Sequence, residues 1–352
     1  MNSPRPETVI KSFAPVRICD NGGWTDTWFA EHGEVFNIAV APYVKVEIVV
    51  QDADQVEDRI IIHAVNFDDH YIFDPNIHSS EKGWQKHPLL EATIQYMNLP
   101  NDKAFDIRIS SAIPIGASTG TSAAVTVALI AGLDTCTTGR LKPGEIAQSA
   151  QLIETEFLGQ QCGIQDQICS AYGGINFIKM EKYPHATVIP IQPPNHLLSQ
   201  LEQRLSLVYL GKSHSSSETH DLVIRRLETS GPETFELENL RKTASASRKA
   251  LISGDFNAFG QAMIDNNEAQ KSLHPALISD DANQVIEIAR AYNAVGWKVN
   301  GAGGEGGSIT LLSSRRFDEK NAMISAIEQE NPNVHSIPIR ISMQGVRALS
   351  NN

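Results

Sequence analysis

A run of nine small residues, Gly116 to Ala124, is the strongest chemical signal in this sequence. It follows Pro114 and leads into an apolar stretch that predicts a helix, so several free backbone N–H groups should point into one concavity. Such a loop at a helix N-terminus binds phosphate through those N–H groups and the helix dipole. A Ser/Thr-capped buried helix is the alternative, but a cap does not need so many small residues. We therefore predict a phosphate-binding loop formed by Gly116, Ala117, Ser118, Thr119, Gly120, Thr121, Ser122 and Ala123.

Hydroxyl and carboxyl groups near this loop suggest a metal ion and a base. The hydroxyls of Thr121 and Ser122 stand where Mg²⁺ could be held, although no Lys follows the last glycine as it would in a Walker A loop. Phosphoryl transfer also needs a carboxylate for Mg²⁺ and a base for the acceptor hydroxyl. Glu154, at a predicted helix end, and Asp166, in the next turn, are candidates. A solvated surface remains the alternative for both carboxylates.

Two further glycine-rich segments lie near the two ends of the chain. Gly22 and Gly23 precede Asp26, which could accept hydrogen bonds from hydroxyl groups, although a plain turn after a strand also fits this segment. The segment 301–307 has five glycines in seven positions, which are costly to order. Either a ligand or another part of the chain must approach that backbone closely. Three such segments together indicate a binding site more strongly than any one of them.

The elements that must position these segments alternate between strands and helices. A chain of this length predicts two domains, and the proline-rich segment 184–203 is the expected junction. Alternation of apolar residues predicts strands over 43–50, 59–65, 105–110, 206–210, 308–312 and 337–341. Helical patterns are found over 88–97, 122–133, 143–158, 220–227, 233–252, 257–270 and 281–295. The first half is therefore expected to be mixed α/β and the second α+β.

The composition excludes several classes of function. The 352 residues include 29 Lys and Arg against 41 Asp and Glu, for a formal net charge of −12. A nucleic-acid partner is not expected, because phosphate neutralisation needs clustered Lys and Arg. The longest apolar run, 123–133, is too short to span a bilayer. With four scattered cysteines and no apolar signal core at the N-terminus, the sequence predicts a cytoplasmic protein without a membrane partner.

The segments resemble, in their order along the chain, the motifs of the GHMP kinase superfamily. Its central motif, roughly Pro-x-Gly-x-Gly-Leu-Gly-Ser-Ser-Ala, matches 114–124, and its Gly-Ala-Gly-Gly-Gly-Gly matches 301–306. The resemblance implies an α+β fold with two domains and the active site between them. Residues 1–195 would form a domain like ribosomal protein S5 domain 2, and residues 196–352 a ferredoxin-like domain. It also implies ATP as co-substrate and Mg²⁺ as cofactor.

The resemblance also implies a role for individual residues. Asp166 aligns with the catalytic aspartate, and Arg17 with a basic residue near the transferred phosphoryl group. Ser122 and Glu154 align with the ligands of Mg²⁺. The substrate site would be formed by Gly22, Gly23, Asp26, Gly303 and Gly304.

The segment Gly22 to Asp26 is similar to two narrower groups, D-glycero-D-manno-heptose 7-phosphate kinases and L-fucokinase domains, which phosphorylate an anomeric hydroxyl. His214 stands where the heptose kinases tend to have Arg, and Asp20 and Glu305 would place negative charge near the cleft. We therefore expect an ATP-dependent kinase acting on the C1 hydroxyl of an unphosphorylated sugar such as L-fucose. A heptose 7-phosphate 1-kinase is the alternative, and a non-catalytic nucleotide-binding protein a remote one. A homodimer is left open.

Three other features give weaker expectations. Ser118 replaces a family glycine, a mild change if that position avoids a positive φ. His214 and His220 are six residues apart and share no helix face, so a metal site there is not favoured over solvated polar residues. Adenine contacts are expected near Trp84, although no motif places them.

Overall fold

The computed structural model describes residues 8–75, 83–137, 139–213 and 218–351. Its strands are β1 (Thr8–Asn21), β2 (Gly33–Asp52), β3 (Ile60–Ala64), β4 (Asp69–Ile72), β5 (Lys103–Ser111), β6 (Ile175–Lys182), β7 (His185–Ile191), β8 (Leu205–Tyr209), β9 (Gly296–Val299), β10 (Ser308–Leu312), β11 (His335–Ile337), β12 (Arg340–Ile341) and β13 (Arg347–Asn351). Its helices are α1 (Pro88–Tyr96), α2 (Thr121–Asp134), α3 (Pro143–Leu152), α4 (Gln165–Tyr172), α5 (Asn195–Arg204), α6 (Glu218–Ser230), α7 (Phe235–Ser253), α8 (Phe256–Leu273), α9 (Asp280–Ala291) and α10 (Phe317–Glu330).

The larger of two sheets is organised around the long strand β2. Its main path runs β13-β1-β2-β5-β3-β4, while β6 and β12 also pair with β2 and β7 pairs with β6. Alternate residues Val44, Val46 and Ile48 are fully buried, which confirms the strand predicted over 43–50. The pairing of β3 with β5 is parallel, and the other pairings in this sheet are antiparallel.

Helix α2 lies against β1 and β2, and its N-terminal end carries the small-residue loop. Nearly every residue from Ala123 to Asp134 is buried. A helix that is apolar on all sides needs neighbours on all sides, and α1, α3 and α4 supply them. The hydroxyl of Ser12 donates to the carbonyl of Ala128 at 2.6 Å and joins β1 to the helix. The loop therefore projects from a rigid element in the core.

A second, antiparallel sheet runs β11-β8-β10-β9 and is packed by helices of the second half. The chain leaves the large sheet after β7 and enters the small sheet at β8, across the proline-rich segment. The last strands, β12 and β13, return to β2 and β1 of the large sheet. The architecture is thus mixed α/β, while the division at residues 195 and 196 stays a prediction. Within the described ranges, no helix is long and apolar enough to cross a membrane.

Two predicted elements differ from the structure. The helix predicted over 143–158 is α-helical only to Leu152 and continues as a wider π-helical turn, Ile153–Phe157, that carries Glu154. The single strand predicted over 337–341 is wrong. Pro338, which has no N–H to donate, separates β11 in the small sheet from β12 in the large one.

Helix α8 approaches β9 so closely that glycine is required at the contact. A Cβ atom on Gly260 would lie 2.1 Å from the carbonyl oxygen of Val295. Gly260→Ala should therefore lower the free energy of unfolding by about 1–3 kcal/mol through overpacking, although helix propensity alone would raise it by about 1 kcal/mol. Urea denaturation measures the change. The matched control is Gly139→Ala, whose nearest atom would lie at 3.7 Å, and equal effects in the two variants would contradict this account.

Candidate active site

The small-residue loop forms a concave backbone surface at the start of α2. Gly116, Ser118 and Gly120 all have positive φ, at 74°, 55° and 69°. Alternation with ordinary conformations turns successive N–H groups toward one side and makes an anion-binding concavity. Gly120 caps α2 without a side-chain hydrogen bond, so the first N–H groups of the helix stay available to a ligand. Ser118 thus has a left-handed conformation that favours glycine, so the condition under which the replacement of a family glycine would be mild is not met.

An apolar cavity of about 250 Å³ opens beside this loop. Phe67, His87 and Ile115 contribute to its walls, together with Gly116, Thr121 and Ser122 of the loop. Phe67 is 59% exposed and Ile115 46%, so the rim presents apolar surface that suits a flat aromatic ligand. Trp84, near which adenine contacts are expected, precedes His87 by three residues, and that expectation stays a prediction.

Arg17 and Asp166 form a two-point ion pair beneath the loop. The Nε of Arg17 lies 2.8 Å from Oδ1 of Asp166, and its Nη2 3.2 Å from Oδ2. The N–H of Arg17 donates to the carbonyl of Thr119 at 2.9 Å, and its Nη1 donates to the carbonyl of Ser118. Burial by itself would lower the pKa of Arg17, but Asp166 and Asp20 outweigh it and the pKa is raised. The guanidinium therefore joins the loop to Asp166 as a permanent cation.

Asp166 also touches the loop directly. A Cβ atom on Gly120 would lie 3.0 Å from the carboxyl carbon of Asp166, so only a glycine allows this approach. The structure thus brings together Arg17, Asp166 and the loop, which the sequence placed in three separate segments.

A polar cavity of about 730 Å³ has Asp166 in its wall. Its lining includes Arg17, Asp20, Trp24, Asp26, Thr27, Trp28, Phe29, Ala123, Glu154, Gly159, Gln160, Gln161, Cys162, Gly163, Gln165, Asp166, Gln167, His220, Asp221, Ile224, Gly301 and Ala302. Carboxylates and aromatic rings therefore share its walls.

Asp26 holds the N-terminus of α4, which carries Asp166. Its Oδ2 accepts hydrogen bonds from the N–H groups of Ile164 at 2.9 Å and Gln165 at 3.0 Å. Burial raises the pKa of Asp26 to about 6, and these hydrogen bonds oppose the rise. Asp26 therefore fixes the position of Asp166 as well as lining the polar cavity.

Glu154 is buried in the wall of the polar cavity and has a polar amide beside it. Burial raises its pKa to about 7, while the hydrogen bond from Nε2 of Gln167, at 2.8 Å, lowers it. Among the residues that the structure describes, the Oε1 atom of Gln167 is buried without a hydrogen-bond partner, and Glu154 makes no ion pair. Such a carboxylate and amide oxygen form a donor set that suits Mg²⁺. Within the described ranges no group of three His, Cys, Asp or Glu side chains could hold a metal, so the remaining ligands would be phosphate and water.

Ser122 and Glu154, the two residues predicted to bind the metal, border different cavities. Ser122 is exposed and lines the apolar cavity, whereas Glu154 lines the polar one with Ala123. The first turn of α2 therefore lies at the boundary between the two cavities.

The four glycines predicted at the substrate site pack against protein backbone instead of lining the polar cavity. A Cβ atom on Gly22 would lie 2.0 Å from the carbonyl oxygen of Glu34, and one on Gly303 2.2 Å from that of Leu277. The N–H of Gly304 donates to the same Leu277 carbonyl at 2.8 Å. Gly23 lies against Asp20. These glycines shape the walls behind the cavity, while Asp26 lies at its surface.

The expectation of negative charge near the cleft is wrong for Asp20, and for Glu305 it stays a prediction. Asp20 is buried and paired with Lys298, whose Nζ lies 3.0 Å from its Oδ1. Glu305 is exposed. Asp20 therefore adds no uncompensated charge to the cavity. A phosphorylated substrate would have to be disfavoured by other residues.

Sequence reasoning missed several residues of the polar cavity. His220, expected to be solvated, is 6% exposed, and its Nε2 lies 2.9 Å from the carbonyl oxygen of Gly303. Trp24 and Trp28 also line the cavity, and their spacing within an otherwise polar turn is a signal that could have been used. Lys298 is not among the lining residues of the cavity, but its place between buried Trp297 and Val299 is also a signal that could have been used. His214 lies outside the described residues.

Comparison with known proteins tests the family resemblance. Residues 88–174 match the model of the GHMP kinases N terminal domain. This part of the chain is therefore similar to the N-terminal domain of the GHMP kinases. The match includes the small-residue loop, Glu154 and Asp166, and so covers the centre of the site.

Similar proteins carry kinase names. The bifunctional fucokinase/GDP-fucose pyrophosphorylase of Arabidopsis thaliana is 28% identical over 315 residues, which cover 84% of this chain but 29% of the plant protein. The mevalonate kinase of Pyrococcus abyssi is 29% identical over 248 residues, 68% of each chain. A D-glycero-D-manno-heptose 1-phosphate kinase from Bacteriodes thetaiotaomicron has a similar fold, with a TM-score of 0.74, 20% identity and coverage of 97% and 98%. The similarity in fold thus extends over nearly the whole chain.

The buried Glu154 should make stability depend on pH. Its pKa of about 7 in the folded chain lies above the ordinary value of 4.5, so between these values the folded chain keeps a proton that the unfolded chain has released. The free energy of unfolding should therefore fall as pH rises from 4.5 to 7, by at most about 1.4 kcal/mol per pH unit from this group. Glu154→Gln should flatten that fall in metal-free urea titrations.

The matched control for this titration is Glu156→Gln, because Glu156 is exposed two residues away. Asp26, whose pKa is also raised, leaves a residual slope below pH 6 in both variants. An unchanged slope in Glu154→Gln would contradict the assignment of a desolvated carboxylate.

Proposed function

We propose that this chain is an ATP-dependent sugar kinase that transfers the γ-phosphoryl group to a sugar hydroxyl, the anomeric C1 hydroxyl in particular. The kinase names of its relatives support a phosphotransferase with an alcohol acceptor. The observation that carries the proposal is the position of Asp166. It contacts the glycine-rich loop and Arg17, and it also lines the polar cavity.

The loop and the apolar cavity together suit ATP. The N–H groups at the start of α2 would hold the polyphosphate, and the helix dipole favours its charge. The apolar cavity would hold the adenine ring next to Gly116 and Thr121. This arrangement needs no basic patch, which agrees with a chain of net charge −12.

Asp166 and Arg17 would act on the two reacting groups. The acceptor oxygen attacks the γ-phosphorus, its proton passes to Asp166, and the bond to the β-phosphate oxygen breaks to release ADP. Arg17 stabilises the charge that develops on the transferred group. Mg²⁺, held by Ser122 and Glu154, would neutralise charge on the phosphates when bound.

The charges in the polar cavity favour an unphosphorylated acceptor. Asp26, Glu154, Asp166 and Asp221 line it, and among its described lining residues Arg17 is the only Lys or Arg and is already bound to Asp166. Burial lowers the pKa of His220, against the hydrogen bonds that raise it, so this ring is a poor cation. A substrate phosphate would meet net negative charge, whereas hydroxyls can donate to the carboxylates. L-fucose represents this class, and heptose 7-phosphate is the competing acceptor.

The finer description of the fold belongs to the same proposal. The large sheet with α1 to α4 would correspond to the S5 domain 2-like part, residues 1–195. The small sheet with α9 and α10 would correspond to the ferredoxin-like part within 196–352. A cytoplasmic location and a homodimer stay predictions.

A panel of acceptors tests the proposal. Release of ADP from ATP and Mg²⁺ should be stimulated by at least one free sugar, L-fucose among those assayed, and not by sugar 6- or 7-phosphates. If heptose 7-phosphate is the only acceptor in the panel that stimulates ADP release, the chain is a heptose 7-phosphate 1-kinase. If no sugar raises ADP release above the rate without acceptor, the chain is a nucleotide-binding protein and the kinase assignment fails.

Loss of the proposed base should remove turnover and leave the fold intact. Asp166→Asn should lower kcat by about 10²–10⁴-fold, because the acceptor loses its proton acceptor, with a circular dichroism spectrum like that of the wild type. Asp106→Asn is the matched control, since Asp106 pairs with His63 on the β3–β5 face of the sheet. Near-normal kcat in Asp166→Asn would refute the catalytic role.

A further inference from the structure

Lys298 is a buried cation that the proposed mechanism does not use. Its side chain is 1% exposed, and lysines are almost never buried so fully unless they are paired. Its Nζ donates to Oδ1 of Asp20 at 3.0 Å and to the carbonyl of Val299 at 2.7 Å. The contact joins β9 of the small sheet to the end of β1 in the large one.

Asp20 lies between Lys298 and Arg17. Besides Lys298, it accepts hydrogen bonds from the N–H of Gly301, with N–O distances of 3.0 and 3.2 Å. Its Oδ1 is 4.0 Å from Nη1 of Arg17. The Asp20 side chain is 1% exposed, so water screens this interaction little.

Arg17 therefore has two carboxylates within reach, and the site needs only one of them. In the structure the guanidinium makes its two-point contact with Asp166 and stays 4.0 Å from Asp20. A buried carboxylate that has lost its partner cation attracts any other nearby cation strongly. Without Lys298, Asp20 would compete with Asp166 for Arg17. Burial lowers the pKa of Lys298 and the facing Asp20 opposes this effect, so the charge of Lys298 depends on Asp20.

We propose that Lys298 is a positioning residue of the transfer reaction: by pairing with Asp20, it leaves the Arg17 guanidinium directed at Asp166 beneath the phosphate loop. The inference rests on the proposed kinase function for its kinetic consequences. Its structural content, the choice of Arg17 between two carboxylates, stands on the contacts alone. A purely structural ion pair would instead stabilise the fold without affecting Arg17.

Four variants separate these accounts. Lys298→Met removes the charge and keeps the length of the side chain, Asp20→Asn removes the competing charge, and the double variant removes both. Lys103→Met is the matched control, because Lys103 pairs with Asp52 at 2.6 Å where β2 pairs with β5, away from the site.

Kinetics with the acceptor that the wild type uses give the first readout. Lys298→Met should lower kcat about 100-fold, as misplacement of a reacting group does, with KM for ATP changed less than about threefold. The double variant should recover kcat to within about fivefold of the wild type, because no carboxylate then competes for Arg17. Lys103→Met should keep both constants. A double variant as slow as Lys298→Met, or a Lys298→Met enzyme with normal kcat, would overturn the proposal.

Nuclear magnetic resonance gives a readout that does not need activity. The Nε–H signal of Arg17, assigned by its loss in Arg17→Lys, should be slow to exchange in the wild type, shifted and faster to exchange in Lys298→Met, and restored in the double variant. An identical signal in all three would overturn the proposal even if no sugar is phosphorylated. If Lys298→Met does not fold, the Arg17 signal of the double variant is compared with that of the wild type. A shifted signal in the double variant would overturn the proposal, because it would show that Arg17 needs the ion pair itself and not the charge balance.

Discussion

The contact between Arg17 and Asp166 is the interaction on which the rest of the site depends. It joins the end of β1 to the start of α4, and through the carbonyls of Ser118 and Thr119 it also supports the small-residue loop. A mobile loop or a displaced helix would break it, so α2 and α4 must both be anchored in the core. Desolvation makes the pair strong and its geometry demanding. This explains why the surrounding polar groups, Asp26 and Lys298 among them, are themselves paired.

The parts of the site that the sequence predicts depend on residues that are neighbours in the chain. Nine consecutive small residues have few uses other than a close backbone approach, and the structure places them at the start of a buried helix. Strands with strict alternation, such as 43–50, and helices with clear starts, such as that at Pro88, form where their patterns indicate. In each case the signal and the structure depend on the same few neighbouring residues.

The parts of the site that the sequence does not predict depend on contacts between residues that are far apart in the chain. Asp20 and Lys298 are 278 residues apart, and nothing local shows that the charge of one cancels that of the other. His220 is buried because α6 packs on the aromatic turn at Trp24, which no pattern within α6 reveals. Ser118 has a positive φ because Gly120 and Arg17 fix the loop around it. The segment 337–341 divides between two sheets because its partners, β8 and β2, lie in different sheets.

We propose that the γ-phosphate of ATP and a sugar hydroxyl both bind next to Asp166. A crystal structure with Mg²⁺, a non-hydrolysable ATP analogue and an acceptor sugar tests it most directly. We predict the triphosphate on the backbone of 116–122, the base in the apolar cavity beside His87, and one sugar hydroxyl within hydrogen-bond distance of Asp166. A triphosphate bound away from this loop, or a sugar with no hydroxyl near Asp166, would contradict the account.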